Sequence, residues 1–585
     1  MKLAGKAHEI HLPAIIILYV LGFAVYLNSF PVPFVFDDYP NIRDNASIRL
    51  ASIDIEGLRA AAMESHAPRR PIANVSFALN YLAGGYDVKG YHLVNIFIHV
   101  VNGVLVYFLA LMLLRRNQAL GSSPPASNRR LQLAALLAAA IFVAHPVQVQ
   151  AVTYIVQRMT SMATMFYLLS LLLYLSGRAR RDLAGRGACW AGALVSWVLA
   201  LGSKEIAATL PVMIVVTEYL FYRDPDKPWP GLSLVYPLIA AAATIGVSLL
   251  YLGVDPAMVI TAEYANRDFS VGERLLTELR VLVYYLSLMV FPFPGRLSLE
   301  HTFTISRSIV DPGTTLAAAV LLAAMFLAAL RLARRRPIVS FCIFWFLVTL
   351  SVESSFVGIE LAFEHRLYLP MFAFALAAAY LFSLTRARHG TMAVALGLAT
   401  VTALATASVM RNTVWQDPLR LWADAVSKSP TSYRARNNLG RVLIDRSVPE
   451  RAAREFAEAI RIKPDYAEPH NNLGTLLARA GRYEQAMLHF GTAIESNPRY
   501  AQAYNNLGVA LLSQGRVRDA ASQFGQAVRI APGYAKAHGN LSRALARMGQ
   551  SRESCRHLLT ALRLDSTVPH SPEALAKCRS ISKVE

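Results

Sequence analysis

Long apolar runs alternate with short polar segments along the first 410 residues of this chain. The first run, LPAIIILYVLGFAVYLNSF, is close to the roughly 20 residues that a helix needs to cross a bilayer. Ten similar runs follow, so the pattern predicts an all-α, polytopic membrane domain with about 11 crossings. The predicted spans begin near Leu12, Tyr91, Leu131, Ser161, Gly187, Ile206, Leu232, Thr314, Ile338, Leu367 and Thr391.

Composition agrees with a membrane protein, because 55% of the 585 residues are apolar and only 16% are charged. Most of the basic residues behind the net charge of +20 stand in clusters between the spans. Such clusters mark cytoplasmic loops, so the charge indicates orientation and not a nucleic-acid partner. The clusters occupy 115–130, 177–186, 223–227, 331–336 and 386–390.

An odd number of crossings from a cytoplasmic start places everything after about residue 410 outside the cytoplasm. No small-residue cleavage site follows the first run, so we expect an anchor and not a removed signal peptide. The short loops and compact repeats suit an integral protein of a bacterial inner (plasma) membrane.

The stretch 272–295 is apolar, yet counting it as a crossing would place Arg334, Arg335 and Arg336 outside. A re-entrant helix, or one lying at the outer interface, keeps every basic loop inside. Its four charged residues, Glu273, Arg274, Glu278 and Arg280, suit an interfacial helix.

A period of 34 residues appears in the last third of the chain. The letters NNLG recur at 437–440, 471–474 and 505–508, and a proline ends each unit at the same interval. Within each unit a small residue, an aromatic and another small residue recur at helical spacing, as in Ala452, Phe456 and Ala459. These features are typical of tetratricopeptide (TPR) repeats, which stack into an α-solenoid that binds peptides or proteins.

The predicted organisation has three parts. Residues 1–410 form the membrane domain, with a first extracytoplasmic loop at 31–90 that holds an acidic motif. Residues 411–565 form the TPR domain, comprising a half repeat, three full repeats and a degenerate capping repeat, and 566–585 form a tail. Cys555 and Cys578 pair as a disulfide in an oxidising compartment or remain two free thiols, and the sequence leaves both open.

The predicted topology gathers polar residues at the outer face. Each alone is also explained by a turn, an interhelical hydrogen bond or an ion pair, whereas together they favour a site. Along the second span, His92, Asn95, His99 and Asn102 form one polar stripe. The candidates are Asp37, Asp38, Arg69, Arg70, His92, His145, Arg158, Lys204, Glu205, Glu364, His365 and Arg366, with Gln148, Gln150, Glu353 and Glu360 near them.

Acids and guanidinium groups at one membrane face suit a sugar linked through phosphate to a polyprenyl lipid. A carboxylate would take the proton from an acceptor hydroxyl as it attacks the anomeric carbon. Arg and Lys would hold the departing phosphate. No cofactor is required by this chemistry. A divalent metal bridging Asp37 and Asp38 stays open, although no His/Cys ligand spacing argues for one.

Several motifs resemble the transmembrane and TPR-containing O-mannosyltransferases (TMTC) and their bacterial relatives. They are the acidic pair Asp37-Asp38, GYHLVN, HPVQVQAVTYIVQR, SKE, YYLSLMVFPF and FEHRLYLP, followed by the TPR units. The resemblance implies the GT-C glycosyltransferase superfamily, whose protein O-mannosyltransferases are inverting enzymes that use lipid-phosphate sugars. It makes Asp37 the base and Asp38 its partner, although which of the two is the base stays open. Where relatives tend to have Glu, this chain has Gln150.

The leading functional hypothesis is therefore sugar transfer from a polyprenyl-phosphate donor to a Ser or Thr hydroxyl of a protein recruited by the TPR domain. Two alternatives remain, a lipid or glycan acceptor and a non-catalytic TPR membrane scaffold.

Overall fold

The computed structural model describes residues 2–222 and 267–582, with residues 242, 246 and 264 between them. Within these ranges all regular structure is helical. The chain divides into two compact units, Met1–Leu421 and Trp422–Glu585. The predicted span near Leu232 and the basic cluster 223–227 lie outside the described residues.

The first unit consists of α-helices joined by short turns. Polar caps fix where several of them begin: the side chains of Asp87, Ser127 and Asp182 each accept a hydrogen bond from a backbone N–H of the first turn. In chain order its helices are Lys2–Tyr26, Ile55–Met63, Pro71–Gly84, Val88–Ala119, Asn128–Ala144, Val149–Thr153, Arg158–Ala179, Leu183–Leu201, Leu210–Thr217, Val271–Val290, Thr314–Leu332, Pro337–Leu350, Met371–Leu384 and Gly390–Trp415.

Seven helical segments of the described chain are long and apolar enough to cross a membrane. An eighth would be Asn128–Ala144 with Pro146–Thr153, two helices bent by 47° at the break between them. These segments, with the shorter apolar helices Pro337–Leu350 and Met371–Leu384, coincide with every predicted span except the one near Leu232. The apolar helices confirm a membrane protein, and the count of 11 stays a prediction.

The second predicted span lies at the centre of the first unit. Of its apolar window 72% is buried by protein, against 11% for Gly390–Trp415. The segments that connect the central helices include four short 3-10 helices, Pro146–Gln148, Ile155–Gln157, Glu205–Thr209 and Glu364–Leu367. Several candidate site residues lie in these short helices or directly beside them.

The charged stretch 272–295 forms the helix Val271–Val290, which begins at a capping box between Ser270 and Glu273. It is not among the described helices that are apolar enough to cross a membrane. Arg274 and Glu278 are not exposed as charges at an interface would be, since both are buried and form an ion pair of 2.9 Å. The interfacial or re-entrant placement of the helix itself stays a prediction. A charge can turn inward here because the Arg274 guanidinium donates to three backbone carbonyls within 353–359.

The second unit consists of paired helices at the predicted 34-residue period. The pairs are Tyr433–Asp445 with Pro449–Ile462, Ala467–Arg479 with Tyr483–Ser496, Ala501–Ser513 with Val517–Ile530, and Ala535–Arg547 with Ser551–Leu564. We call these pairs repeats one to four. Pro418–Lys428 precedes them and Pro572–Ser582 follows, joined to repeat four by a disulfide between Cys555 and Cys578.

The glycine of each NNLG motif allows the two helices of a repeat to approach closely. A Cβ atom added at Gly440 would lie 2.5 Å from the Phe456 ring, and one at Gly508 would lie 2.6 Å from the Phe524 ring. Both rings are buried, so they cannot move aside without opening the core. The repeat pattern therefore has a steric cause.

Candidate active site

The acidic pair lies in the turn that follows the first helix. Phe36, just before it, has a positive φ of 45°, a conformation rare for residues other than glycine. Asp38 is fully buried, and its two carboxyl oxygens accept hydrogen bonds from the backbone N–H of Val35 (2.9 Å) and of Val156 (2.7 Å). Asp38 thus ties its own turn to the segment before the helix Arg158–Ala179.

Asp37 differs from its neighbour because it is only half-buried. Its backbone N–H donates to the hydroxyl of Tyr154 at 2.7 Å, and that hydroxyl also hydrogen-bonds the Asp37 side chain. Burial raises the pKa of Asp38 well above its usual range, and the charge of Asp37 adds to the effect, while the Val35 and Val156 N–H groups oppose it. The pair therefore combines an accessible carboxylate with a buried one.

Arg158 is buried beside this pair, and its guanidinium donates to protein groups on three sides. It bonds Asn95 Oδ1 at 2.7 Å, Tyr91 O at 3.0 Å and Ser76 O at 3.2 Å, and it stacks near the Phe77 ring. These bonds satisfy a buried charge that would otherwise be costly. Its placement therefore does not support the predicted role of Arg158 in binding phosphate, because its donors connect the second span with the helix Pro71–Gly84.

The polar stripe of the second span faces the protein interior. Its four residues are fully buried and bond mainly to backbone carbonyls of other segments. The bonds run from His92 to Val32 O (2.9 Å), from Asn95 to Val152 O (3.0 Å) and Ile155 O (3.2 Å), from His99 to Val143 O (3.0 Å) and Tyr368 OH (2.7 Å), and from Asn102 to Ser161 O (2.9 Å) and Tyr368 OH (3.1 Å). The stripe therefore holds the segments around 143–161.

The segment 145–160 connects the remaining candidates. His145 Nε2 donates to Met289 O at 3.0 Å, and the Gln150 side chain accepts the backbone N–H of His365 at 2.7 Å. This contact needs only an acceptor, which the glutamine side-chain oxygen provides. Gln148 and Gln150 are both buried.

A buried ion-pair cluster lies at the end of this segment. The Lys204 ammonium is 2.7 Å from Glu353 Oε1 and donates to Thr160 Oγ1 at 3.1 Å. Arg366 Nε lies 3.9 Å from the same carboxylate, and its other nitrogens donate to the carbonyls of Leu361 and Glu360. The cluster matches the outer-face set predicted from the sequence, although Lys204 and Arg366 are used by protein groups.

Arg70 and Glu205 form a two-pronged ion pair closer to the surface. The nitrogen–oxygen distances are 2.8 and 3.2 Å, and the side chains are 28% and 17% exposed. Arg69, the preceding residue, is exposed. Glu364 is buried and accepts from the Ser298 N–H and from His301, so it belongs to the support of its loop. Arg69 and Arg70 are therefore the candidate cations that solvent reaches.

Tyr154 and Thr160 are functional candidates that sequence reasoning missed. Tyr154 stands in the quoted motif HPVQVQAVTYIVQR, where an aromatic hydroxyl among apolar residues was the available indication, and Thr160 follows the motif by two residues. Among the residues that the structure describes, no three His, Cys, Asp or Glu side chains gather closely enough to hold a metal ion. The sequence requires no metal at the acidic pair and leaves a divalent ion there open, and this question stays open.

Comparison with known proteins adds the family context. A tetratricopeptide repeat model matches residues 471–535. Protein O-mannosyl-transferase Tmtc1 of Drosophila melanogaster is 32% identical over 210 residues, which are 34% of this chain and 22% of the relative. Tmtc3 of the same organism is 27% identical over 493 residues, 72% of this chain and 52% of the relative.

The chain is similar to the Tmtc protein O-mannosyl-transferases. The relationship extends to protein O-mannosyl-transferase F38B6.6 of Caenorhabditis elegans, 25% identical over 76% of this chain and 61% of its own length. The chain thus spans between about a fifth and about three fifths of the Tmtc-type relatives it matches. Among solved structures, the TPR protein YrrB is 20% identical with a TM-score of 0.23, over 32% of this chain and 87% of its own.

Proposed function

We propose that this protein is a membrane glycosyltransferase of the GT-C type that transfers a sugar, mannose by analogy with its relatives, to a hydroxyl of a protein. The donor is a polyprenyl-phosphate sugar, and the reaction takes place on the extracytoplasmic face. The observation that carries the proposal is the unequal acidic pair, in which Asp37 is half-buried beside the fully buried Asp38.

Asp37 has the placement that a general base requires. The acceptor hydroxyl must be able to reach the carboxylate, and the half-burial of Asp37 allows this. The carboxylate must also be held in a fixed direction, and its hydrogen bonds with the Tyr154 hydroxyl provide this. Asp38 acts as a positioning residue, because both of its oxygens are used to hold the turn. A single displacement follows, with inversion at the anomeric carbon.

In that step the acceptor oxygen forms a bond to the anomeric carbon while the bond to the phosphate oxygen breaks. The proton of the hydroxyl passes to Asp37, and the polyprenyl phosphate leaves with the bonding electrons. Arg69 and Arg70 are the cations we assign to the phosphate, because they are the candidate arginines with solvent exposure. Glu205 holds Arg70 in place and would share it with the donor.

A protein acceptor is the choice that best explains the TPR repeats. Solenoids of this kind present extended surfaces for peptides, and they carry no chemistry themselves. We therefore assign Ser or Thr of a captured protein as the acceptor, in a bacterial inner (plasma) membrane with the repeats in the periplasm.

Transfer by the purified full chain from labelled polyprenyl-phosphate mannose tests this proposal. The variants are Asp37→Asn and, as a matched control, Asp44→Asn, which removes the same charge from an exposed position of the same loop. We expect label on protein Ser or Thr with wild type and with Asp44→Asn, and none with Asp37→Asn. Label in the lipid or glycan fraction would reject the protein acceptor, and no transfer by wild type would favour a scaffold.

A further inference from the structure

Each TPR repeat has a pair of polar residues at equivalent positions of its two helices. In repeat one this pair is an ion pair, with Arg436 Nη1 at 2.9 Å from Glu455 Oε2. Thirty-four residues later in the chain the same two positions hold histidines, and the next repeat holds Tyr and Gln. Repeat four holds histidines again, so the pairs are His470 with His489, Tyr504 with Gln523, and His538 with His557.

The two histidine pairs have nearly the same geometry. The Nδ1 atoms of His470 and His489 are 3.1 Å apart, and those of His538 and His557 are 2.9 Å apart. The ring planes are tilted by 39° and 35°, with centroids 5.3 and 5.1 Å apart. One arrangement thus occurs twice, 68 residues apart.

A backbone carbonyl sets the proton position on the first-helix histidine of each pair. His470 Nε2 is 2.9 Å from Pro464 O, and His538 Nε2 is 3.0 Å from Pro532 O. A carbonyl only accepts, so Nε2 carries the proton and the Nδ1 lone pair points toward the partner ring. Histidines that bind metals commonly have this arrangement, in which one ring nitrogen donates a hydrogen bond to a carbonyl and the other ring nitrogen coordinates the metal.

The spacing of the paired nitrogens matches that of neighbouring ligands on a metal. With metal–nitrogen bonds of about 2.1 Å, two ligands at right angles are about 3.0 Å apart, and two tetrahedral ligands are about 3.4 Å apart. The observed distances of 3.1 and 2.9 Å lie nearest to the first value. Right-angled imidazole ligands are typical of Cu²⁺ and Ni²⁺.

The exposure of the histidine pairs suits a metal ion that is coordinated partly by protein and partly by water. The first-helix histidines are 7% and 6% exposed, whereas His489 and His557 are half-buried. A metal held by both rings would face solvent on one side, where water would complete its coordination. Each ion would fasten the two helices of one repeat, as the ion pair does in repeat one.

We propose that His470 with His489, and His538 with His557, are two equivalent binding sites for a divalent first-row transition metal with right-angled nitrogen ligands, Cu²⁺ or Ni²⁺. Without metal, each pair is an N–H···N hydrogen bond in which the second-helix ring donates. The proposal is independent of the transferase activity, since none of these residues belongs to the candidate active site.

Calorimetric titration of the chelator-stripped full chain with Ni²⁺, in detergent, tests the two sites. The variants are His489→Gln, His557→Gln and both together, because glutamine stands naturally at the equivalent position of repeat three. The chain has 14 histidines, so His66→Gln, an exposed histidine of the first loop, is the matched control. We expect each single variant to lose one bound ion per chain, the double variant to lose two, and the control to lose none.

A second measurement separates loss of the site from loss of the fold. Circular dichroism of every variant without metal should match wild type, and Ni²⁺ should raise the melting temperature of wild type but not of the double variant. Electron paramagnetic resonance of bound Cu²⁺ should show two coordinated imidazole nitrogens. Equal Ni²⁺ stoichiometry in wild type and the well-folded double variant would overturn the proposal and leave the pairs as hydrogen bonds only.

Discussion

Replacing Asp38 by Asn should destabilise the protein, whereas the same change at Asp37 should leave stability unchanged. Asp38 accepts two backbone hydrogen bonds through two oxygens in a fully buried place. Asparagine has one oxygen, so its amide group would face a backbone N–H that then has no acceptor. Asp37 is half-buried, and its backbone N–H bonds Tyr154 whatever the side chain is. Asparagine keeps one side-chain oxygen, which can still accept a hydrogen bond from the Tyr154 hydroxyl.

The magnitude follows from these two bonds. Losing a hydrogen bond to a charged group costs about 1.5–3 kcal/mol, and leaving a buried N–H unpaired costs a further ~1–3 kcal/mol. Part of this loss of stability is recovered, because the substitution removes a carboxylate whose charged form is disfavoured by burial. We therefore expect Asp38→Asn to lose about 2–4 kcal/mol, and Asp37→Asn to stay within about 0.5 kcal/mol of wild type, as is usual away from buried contacts.

Thermal unfolding of the purified variants in one detergent is the assay, read by circular dichroism with Asp44→Asn as the control. Asp38→Asn should melt several degrees below wild type, whereas Asp37→Asn and Asp44→Asn should melt at the wild-type temperature. Equal melting of Asp38→Asn and wild type would refute the assignment of Asp38 as the residue that holds the turn. A loss of stability in Asp37→Asn as large as that in Asp38→Asn would refute the distinction between the two carboxylates.

Three further predictions concern the packing, the backbone conformation and the ion pairs of the fold. Gly508→Ala should cost about 1–3 kcal/mol, because the added methyl group would overpack against the phenylalanine of its repeat. Gly525→Ala should stabilise by about 0.5–1 kcal/mol, because this helix position has open space around it. Chemical denaturation compares the free energies of unfolding of the two variants. Ser447 has a φ of 59° where the later repeats have glycine, so Ser447→Gly should raise the melting temperature through a gain of about 0.5–1 kcal/mol, and a fall would contradict this. Lys204→Met should cost about 3–5 kcal/mol, because buried Glu353 would lose its nearest cation and keep only Arg366 at 3.9 Å. Adding Glu353→Gln should restore part of this loss in a double-mutant cycle, and full additivity would disprove the pairing.

The repeats and most spans could be predicted because each depends on a local pattern. A span needs an apolar run, and a repeat needs a small residue opposite a ring, as at Gly440 and Phe456. Both requirements recur at fixed spacing in the sequence. The charges of Val271–Val290 could not be predicted in the same way, because Arg274 finds carbonyls about 80 residues further along the chain.

The same limit applies to the candidate site. Sequence reasoning predicted that the polar residues lie at one end of the spans, but it could not tell an arginine that solvent reaches from one that is fully buried. Arg158 is satisfied by carbonyls 67 and 82 residues away, whereas Arg70 remains partly exposed. Nor could it rank Asp37 and Asp38, because the difference lies in contacts with Tyr154 and Val156, more than a hundred residues distant.

The most direct test of the account is the mass of an acceptor protein after incubation with polyprenyl-phosphate mannose and the purified chain. We predict one added hexose on Ser or Thr, together with free polyprenyl phosphate, for wild type and for Asp44→Asn. Asp37→Asn should give neither product while melting at the wild-type temperature. Transfer by Asp37→Asn at the wild-type rate would contradict the central claim that this carboxylate is the base.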